Sequence, residues 1–231
     1  MKLIKRMFLF VFVTALLIVV GIMAGGYGKY KQAVSQLSVE DAAKKIMVSK
    51  SYTELEEVSP TFTDAIVSVE DKRFYEHEGV DLISLARAVK LNLKKGEASQ
   101  GGSGITQQLA KNMYFMNDRS LTRKVAEVLV ARDLEKKFSK DEILELYINT
   151  IYYGSGYYRI YDASMGYFGK EPSKLTDYEA TLLAGIPNAP SVYSLDNNPD
   201  LAKQRQKTVV KAMLENRKLT KEEADEILNQ Q

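Results

Sequence analysis

The feature that most constrains this chain is an apolar run over residues 7–26 that carries no charged side chain. As a helix, twenty residues extend about 30 Å, enough to cross the hydrocarbon core of a bilayer. A cleavable signal peptide is the competing reading, and Ala24-Gly25-Gly26 could mimic a cleavage site. The apolar core of a signal peptide is usually shorter, about 7–15 residues, so length favours a retained anchor. The head before it, residues 1–6, holds Lys2, Lys5 and Arg6 and no acid. The positive-inside rule keeps such a head in the cytoplasm and sends the rest of the chain outward. The expected organisation is a basic head (1–6), a transmembrane anchor (7–26), a stalk leading inward (27–54) and one domain (55–231).

The remainder reads as helical. Thr61, Ser139, Thr176 and Thr220 are each followed three residues later by an acid, a pattern that satisfies amides at a helix start. A short helix is expected after Ser38. Phe62, Ala65, Ile66 and Val69 repeat at helical spacing, and that helix ends near Glu70. Leu82, Ala86, Val89 and Leu93 form a second stripe, closed by Gly96. Leu121, Val125, Val128 and Leu129 form a third. The helix after Thr176 stops at Gly185 and Pro187. Residues 50–58 alternate weakly and supply one strand at most.

Composition excludes several chemistries. There is no cysteine and a single histidine, so disulfides, cysteine catalysis and a structural zinc site fall away. Net charge is +2, but residues 87–124 alone hold eight basic residues against Glu97 and Asp118. That cluster surrounds a glycine-rich loop, and an anionic ligand is the better account of it.

Glu70 is the first candidate for chemistry. A carboxylate at a helix C-terminus meets an unfavourable dipole, and apolar neighbours raise its pKa further, as a base working near neutrality requires. An exposed helix-end acid is the bland alternative. Asp71 is read as bonding backbone groups after the helix, and His77 as a hydrogen-bonded structural residue. The loop 101–104 leads into a helix beginning near Ile105, and free amides at a helix start favour anions. Thr106, Gln107 and Gln108 add neutral donors and acceptors, and Lys111 shares a face with Gln108. Arg123 and Glu127 also share a face; spacing alone leaves open whether they form a surface ion pair or a cation for phosphate beside a carboxylate.

Taken together, the blocks EDKRFYEHEGVD, GGSGITQQLAKN, RKVAE, KDEILELYIN and LLAGIPNAPSVYS resemble, in order, the motif regions of the peptidoglycan glycosyltransferases, the family-51 transferases that polymerise lipid II. The resemblance covers nearly all of residues 55–195. It implies a mainly α, lysozyme-like fold of two lobes flanking a groove, behind an N-terminal transmembrane helix. The chain ends soon after the domain, as expected of a monofunctional form.

The implied reaction joins a growing glycan, held as its polyprenyl diphosphate, to the 4-hydroxyl of lipid II, with inversion to a β-1,4 link. Glu70 would then be the base and Glu127 a donor-side catalytic group. Lys111, Arg119 and Arg123, helped by Arg87, would neutralise the diphosphate. Ser103, Gln107 and Gln108 would contact sugar or phosphate, while Asp71 and His77 shape the first motif. Tyr114, Phe115 and Met116 are candidates for a membrane-dipping patch, with buried core as the equal alternative. No metal ligands are expected from the protein and no cofactor is required, although a divalent metal such as Mg could bridge the diphosphate.

The implied partners are lipid II, the glycan strand, the bilayer and other wall-synthesis proteins, not nucleic acid. The implied location is the cell membrane, single-pass, with the domain extracytoplasmic. A non-catalytic scaffold and a lysozyme-like glycan-cleaving enzyme are the alternatives. One departure stands out: Gly104 occupies the place of the first Thr in the family's Gly-Ser-Thr-Ile-Thr-Gln-Gln, which removes a hydroxyl and a Cβ and is expected to loosen the loop.

Overall fold

The structure is a computed structural model describing residues 2–95 and 102–230. Twelve α-helices carry the chain among these residues: α1 (Lys2–Gln36), α2 (Val39–Met47), α3 (Pro60–Glu70), α4 (Leu82–Lys95), α5 (Ile105–Tyr114), α6 (Leu121–Lys137), α7 (Lys140–Ile148), α8 (Ile160–Phe168), α9 (Asp177–Gly185), α10 (Pro190–Tyr193), α11 (Pro199–Glu215) and α12 (Lys221–Asn229). The sole β feature among the described residues is an isolated bridge between Tyr152 and Tyr158. The layout is the mainly α, two-lobed one expected. One lobe gathers α5, α6 and α7 with α1 and α2; the other gathers α3, α9 and α11 with α10 and α12. A shared core of Phe62, Ile66, Ile105, Leu109, Leu134, Tyr147 and Leu183 runs beneath both.

Local capping chemistry sets most helix starts. Ser139, Thr176 and Thr220 each form the reciprocal box read from the sequence, and Ser38 caps α2. Thr61 does not. α3 begins at Pro60, whose fixed φ suits the first helical position, and Thr61 instead donates to Asp177 on α9. Residues 50–58 form no strand. Thr53 is tied through its backbone to the Asn149 side chain, and a 3-10 turn follows at Leu55–Glu57.

Two expected stripes also need correction. In α6 the buried side chains are Ala126, Glu127, Val130, Ala131 and Leu134, while Leu121 is exposed. The reason is that α6 is packed on from more than one side, by α5 and by α1. In α4, Leu82 and Ala86 face solvent with Ile83 and Leu85, and Ala88 points inward. The side chains of Val89 and Leu93, the helix stop expected at Gly96, and Gly101 lie outside the described residues.

α1 is long and apolar enough to cross a membrane. Its large apolar residues from Ile4 to Met23 are exposed, apart from a half-buried Ile22. It does not break at Gly26: the helix continues through the first part of the segment read as a stalk and lies on α6. Glycine makes this approach possible. A Cβ on Gly26 would sit 2.4 Å from Val125 Cβ, and one on Gly25 would sit 3.0 Å from Thr122 Cγ2. Beyond the glycines, Lys29 pairs with Asp118 and the Tyr30 hydroxyl donates to Asp133. Tyr114 donates to the Leu37 carbonyl, Phe115 is buried and Met116 is exposed, so that trio divides between core and surface.

Gly26→Leu is therefore expected to lower stability by about 1–3 kcal/mol through overpacking. Gly28→Ala, whose Cβ meets nothing within 4 Å, should leave the melting temperature unchanged or raise it slightly. Thermal unfolding of the detergent-solubilised chain compares the two.

Candidate active site

A groove of about 810 Å³ opens between the lobes. Glu70 and Asp71 enter it from the end of α3, Arg87 from α4, Ser103 and Gly104 from the loop, and Gln107, Gln108 and Lys111 from α5. Arg123, Lys124 and Glu127 enter from α6, and Arg205 from α11. Glu70 and Lys111 thus share one cavity, as the sequence reading required. Arg119 does not join them. It is exposed on a second recess of about 680 Å³ beside α1, near Lys29 and Met116.

Glu70 is the last residue of α3, and its side chain is only 9% exposed. Burial pushes its pKa above the ordinary carboxylate value. Donation from Gln108, the Arg205 charge and the Lys111 charge all pull back, while Asp71 adds to the rise. The two oxygens differ. Oε2 accepts from Gln108 Nε2 at 2.7 Å, whereas Oε1 is buried with no hydrogen-bond partner among the described residues. Gln108 is itself oriented by Tyr147, whose hydroxyl donates to Gln108 Oε1 at 3.2 Å. The structure therefore gives Gln108 the task of holding Glu70. Gln107 is buried and donates to the Gly79 carbonyl at 3.3 Å, and Thr106 is buried against Glu135. Gln107 and Gln108 thus line the groove while each also bonds the protein.

Glu127 is not part of a surface ion pair. Its side chain is 2% exposed, with Arg123 Nη1 at 2.6 Å from one oxygen and Lys124 Nζ at 3.0 Å from the other. A buried carboxylate clamped by two cations leaves one positive charge uncompensated at the groove wall. Lys124 also donates to Ser103 Oγ at 2.5 Å, joining the loop to α6. Sequence reasoning passed over Lys124, although it stands inside the RKVAE block at i,i+3 from Glu127. It also passed over Arg205, which no motif marks. Six basic and five acidic side chains line the groove, so much of the local charge excess is balanced there. Lys72, Arg87 and Lys111 line the groove and make no ion pair among the described residues.

Asp71 bonds a backbone amide and the imidazole of His77. Oδ2 accepts from the Ile105 amide at 3.0 Å, capping α5 from another element, and His77 Nε2 lies 2.9 and 3.0 Å from the two oxygens. Gly104 makes this possible. Its backbone is ordinary and extended, at φ −76°, ψ 176°, but a Cβ there would stand 2.2 Å from Asp71 Oδ2. The loop is thus buttressed at Gly104 rather than loosened. Asp71, His77 and Asp81 converge closely enough to resemble a metal site. Arg73 already holds both Asp81 oxygens, and Asp71 is taken by an amide and an imidazole. A hard dication needs several uncommitted oxygens, so these residues do not fit one.

An N-terminal helix long and apolar enough to cross a membrane stands before a mostly helical domain whose groove pairs a buried carboxylate with cations. The model of the Transglycosylase family matches residues 38–214, and the chain belongs to that family. Its relatives include penicillin-binding protein 2D of Bacillus subtilis (strain 168), 47% identical over 176 residues that make up 76% of this chain and 26% of that protein. Penicillin-binding protein 1A of Neisseria lactamica is 43% identical over 182 residues, 79% of this chain and 23% of that one. The chain therefore spans about a quarter of the length of these relatives. The crystal structure of penicillin-binding protein 1A from Haemophilus influenzae aligns with 78% of this chain and 17% of its own, at 22% identity and a TM-score of 0.47.

Gly104→Thr, which restores the family's residue, is expected to cost about 1–3 kcal/mol by crowding Asp71. Because a threonine hydroxyl can cap α5 itself, adding Asp71→Ala should cost less than the sum of the two single changes. Chemical denaturation of the four proteins in a double-mutant cycle measures that coupling.

Proposed function

We propose that this domain polymerises lipid II into β-1,4-linked glycan. Glu70 takes the proton of the acceptor 4-hydroxyl as the acceptor oxygen bonds the donor's anomeric carbon. The bond from that carbon to the polyprenyl diphosphate breaks on the opposite face, and its electron pair leaves with the diphosphate. The anomeric centre inverts. A diphosphate departs readily once its charge is compensated, so one base and a set of fixed cations suffice. Lys111, Arg87 and the Arg123–Lys124 pair supply that compensation. Glu127 holds the pair in place and orients the donor side. Arg119 has no part in this scheme, because it lies off the groove.

The observation that carries the reading is a buried carboxylate with one unpartnered oxygen, sharing a groove with basic side chains. A glycan-cleaving enzyme acts on an uncharged chain and has no use for those cations. In the same reading α1 crosses the membrane once, residues 1–6 stay in the cytoplasm, and the groove faces the extracytoplasmic leaflet where lipid II is presented. The bilayer and the growing strand are then the constant partners, and other wall-synthesis proteins the further ones.

Purified protein incubated with lipid II in detergent should yield long glycan, and Glu70→Gln should reduce the rate by about 10²–10⁴-fold. If the wild type makes no polymer where a known transferase does, the reading fails. The base must be ionised and its pKa is raised, so kcat/KM should fall on acidification at a pH above the ordinary carboxylate value of 4.5. A pH–rate profile locates that limb.

A further inference from the structure

Arg205 lies on α11, outside every motif block, yet it reaches the groove's most buried acid. Its Nη2 is 3.8 Å from Glu70 Oε1, and its side chain is 14% exposed. The protein holds it from two further elements. Nε points at the Gly185 carbonyl at the end of α9 at 3.4 Å, and the guanidinium lies over the Tyr193 ring of α10 at 6.0 Å. Gly185 clears the path, since a Cβ there would meet Arg205 Cγ at 3.0 Å.

At 3.8 Å the guanidinium is too far to hydrogen-bond Oε1 but close enough to favour its negative charge. This separates two effects that normally arrive together. A hydrogen bond would favour the carboxylate but occupy the lone pair that must receive the substrate proton. We propose that Arg205 is the positioning residue that keeps Glu70 ionised while leaving Oε1 without a hydrogen-bond partner; this rests on the reading of Glu70 as the base.

Other groups face Glu70 as well. Asp71, next in the chain, opposes its ionisation, and Tyr147 from α7 is buried and neutral. Lys111 from α5 is the second cation. Lys111 stands where the diphosphate would bind, so its charge is shared with substrate. Arg205 is gripped by α9 and α10 and keeps its charge on Glu70 through the cycle.

The test uses the full chain in detergent with Arg205→Gln and Arg205→Lys. Removing a cation raises a carboxylate's pKa, so the acid limb of kcat/KM for lipid II polymerisation should move up by about one pH unit or more in Arg205→Gln. At pH values below the wild-type limb the rate should fall about tenfold and recover as pH rises, in kcat rather than KM. Arg205→Lys, which retains the charge, should recover part of the shift and serves if the glutamine variant misfolds. In parallel, the Glu70 carboxyl is titrated by 13C NMR, with its signal assigned by Glu70→Gln. An upward shift of that titration in Arg205→Gln bears the proposal out. An unmoved titration, or a loss of rate equal at every pH, overturns it and leaves Arg205 a packing residue. The titration needs no turnover, so it decides the coupling even if the wild type proves unable to polymerise lipid II, a result that would sink the functional reading instead.

Discussion

A carboxylate buried at the wrong end of a helix is the constraint on which this structure rests. Glu70 closes α3, where unsatisfied carbonyls already make the field negative, and it is almost fully removed from water. Such a group survives only if other elements bring it donors and positive charge. Those elements are α5, through Gln108 and Lys111, and α11, through Arg205. The two lobes are thus obliged to meet at Glu70, and the groove is the space their meeting encloses.

Asp71 performs a parallel service one residue later. Its carboxylate caps α5 across the gap left by Gly104, so the helix that delivers Gln108 and Lys111 is fastened to the helix that delivers Glu70. On the far wall, Lys124 ties Ser103 of the same loop to Glu127 of α6. Glu70, the cations and the loop between them are held by a chain of charge-assisted bonds rather than by a sheet.

The sequence disclosed what is written in short-range chemistry. Caps at Ser139, Thr176 and Thr220, the end of α3 at Glu70 and the stop at Gly185 each depend on residues a few positions apart, and each stood in the structure where it was read. What it hid depends on neighbours. The stripes of α4 and α6 were misread because periodicity names a face but not how many elements press on it. Arg205 and Glu70 meet only because α11 packs against α3. Gly104 looked like a loss of contact until Asp71 was found in the space of the missing Cβ. Lys124 was within reach of sequence reasoning, since the spacing that marked Arg123 for Glu127 marks it as well.

The uninterrupted α1 has a mechanical consequence. Gly26 lies ten residues before the helix ends, about 15 Å of rise, and over that length α1 is wedged onto α6. In the proposed reading, with α1 upright in a bilayer, the body is a tool bolted to a stiff post, not a bob on a string. Its cleft would then work at one elevation, matched to sugars whose own lipid tethers fix how far they rise. A lengthening polymer cannot be followed by swivelling at a joint. Either the strand slides past a stationary workbench, or the whole machine travels sideways through the membrane as it builds.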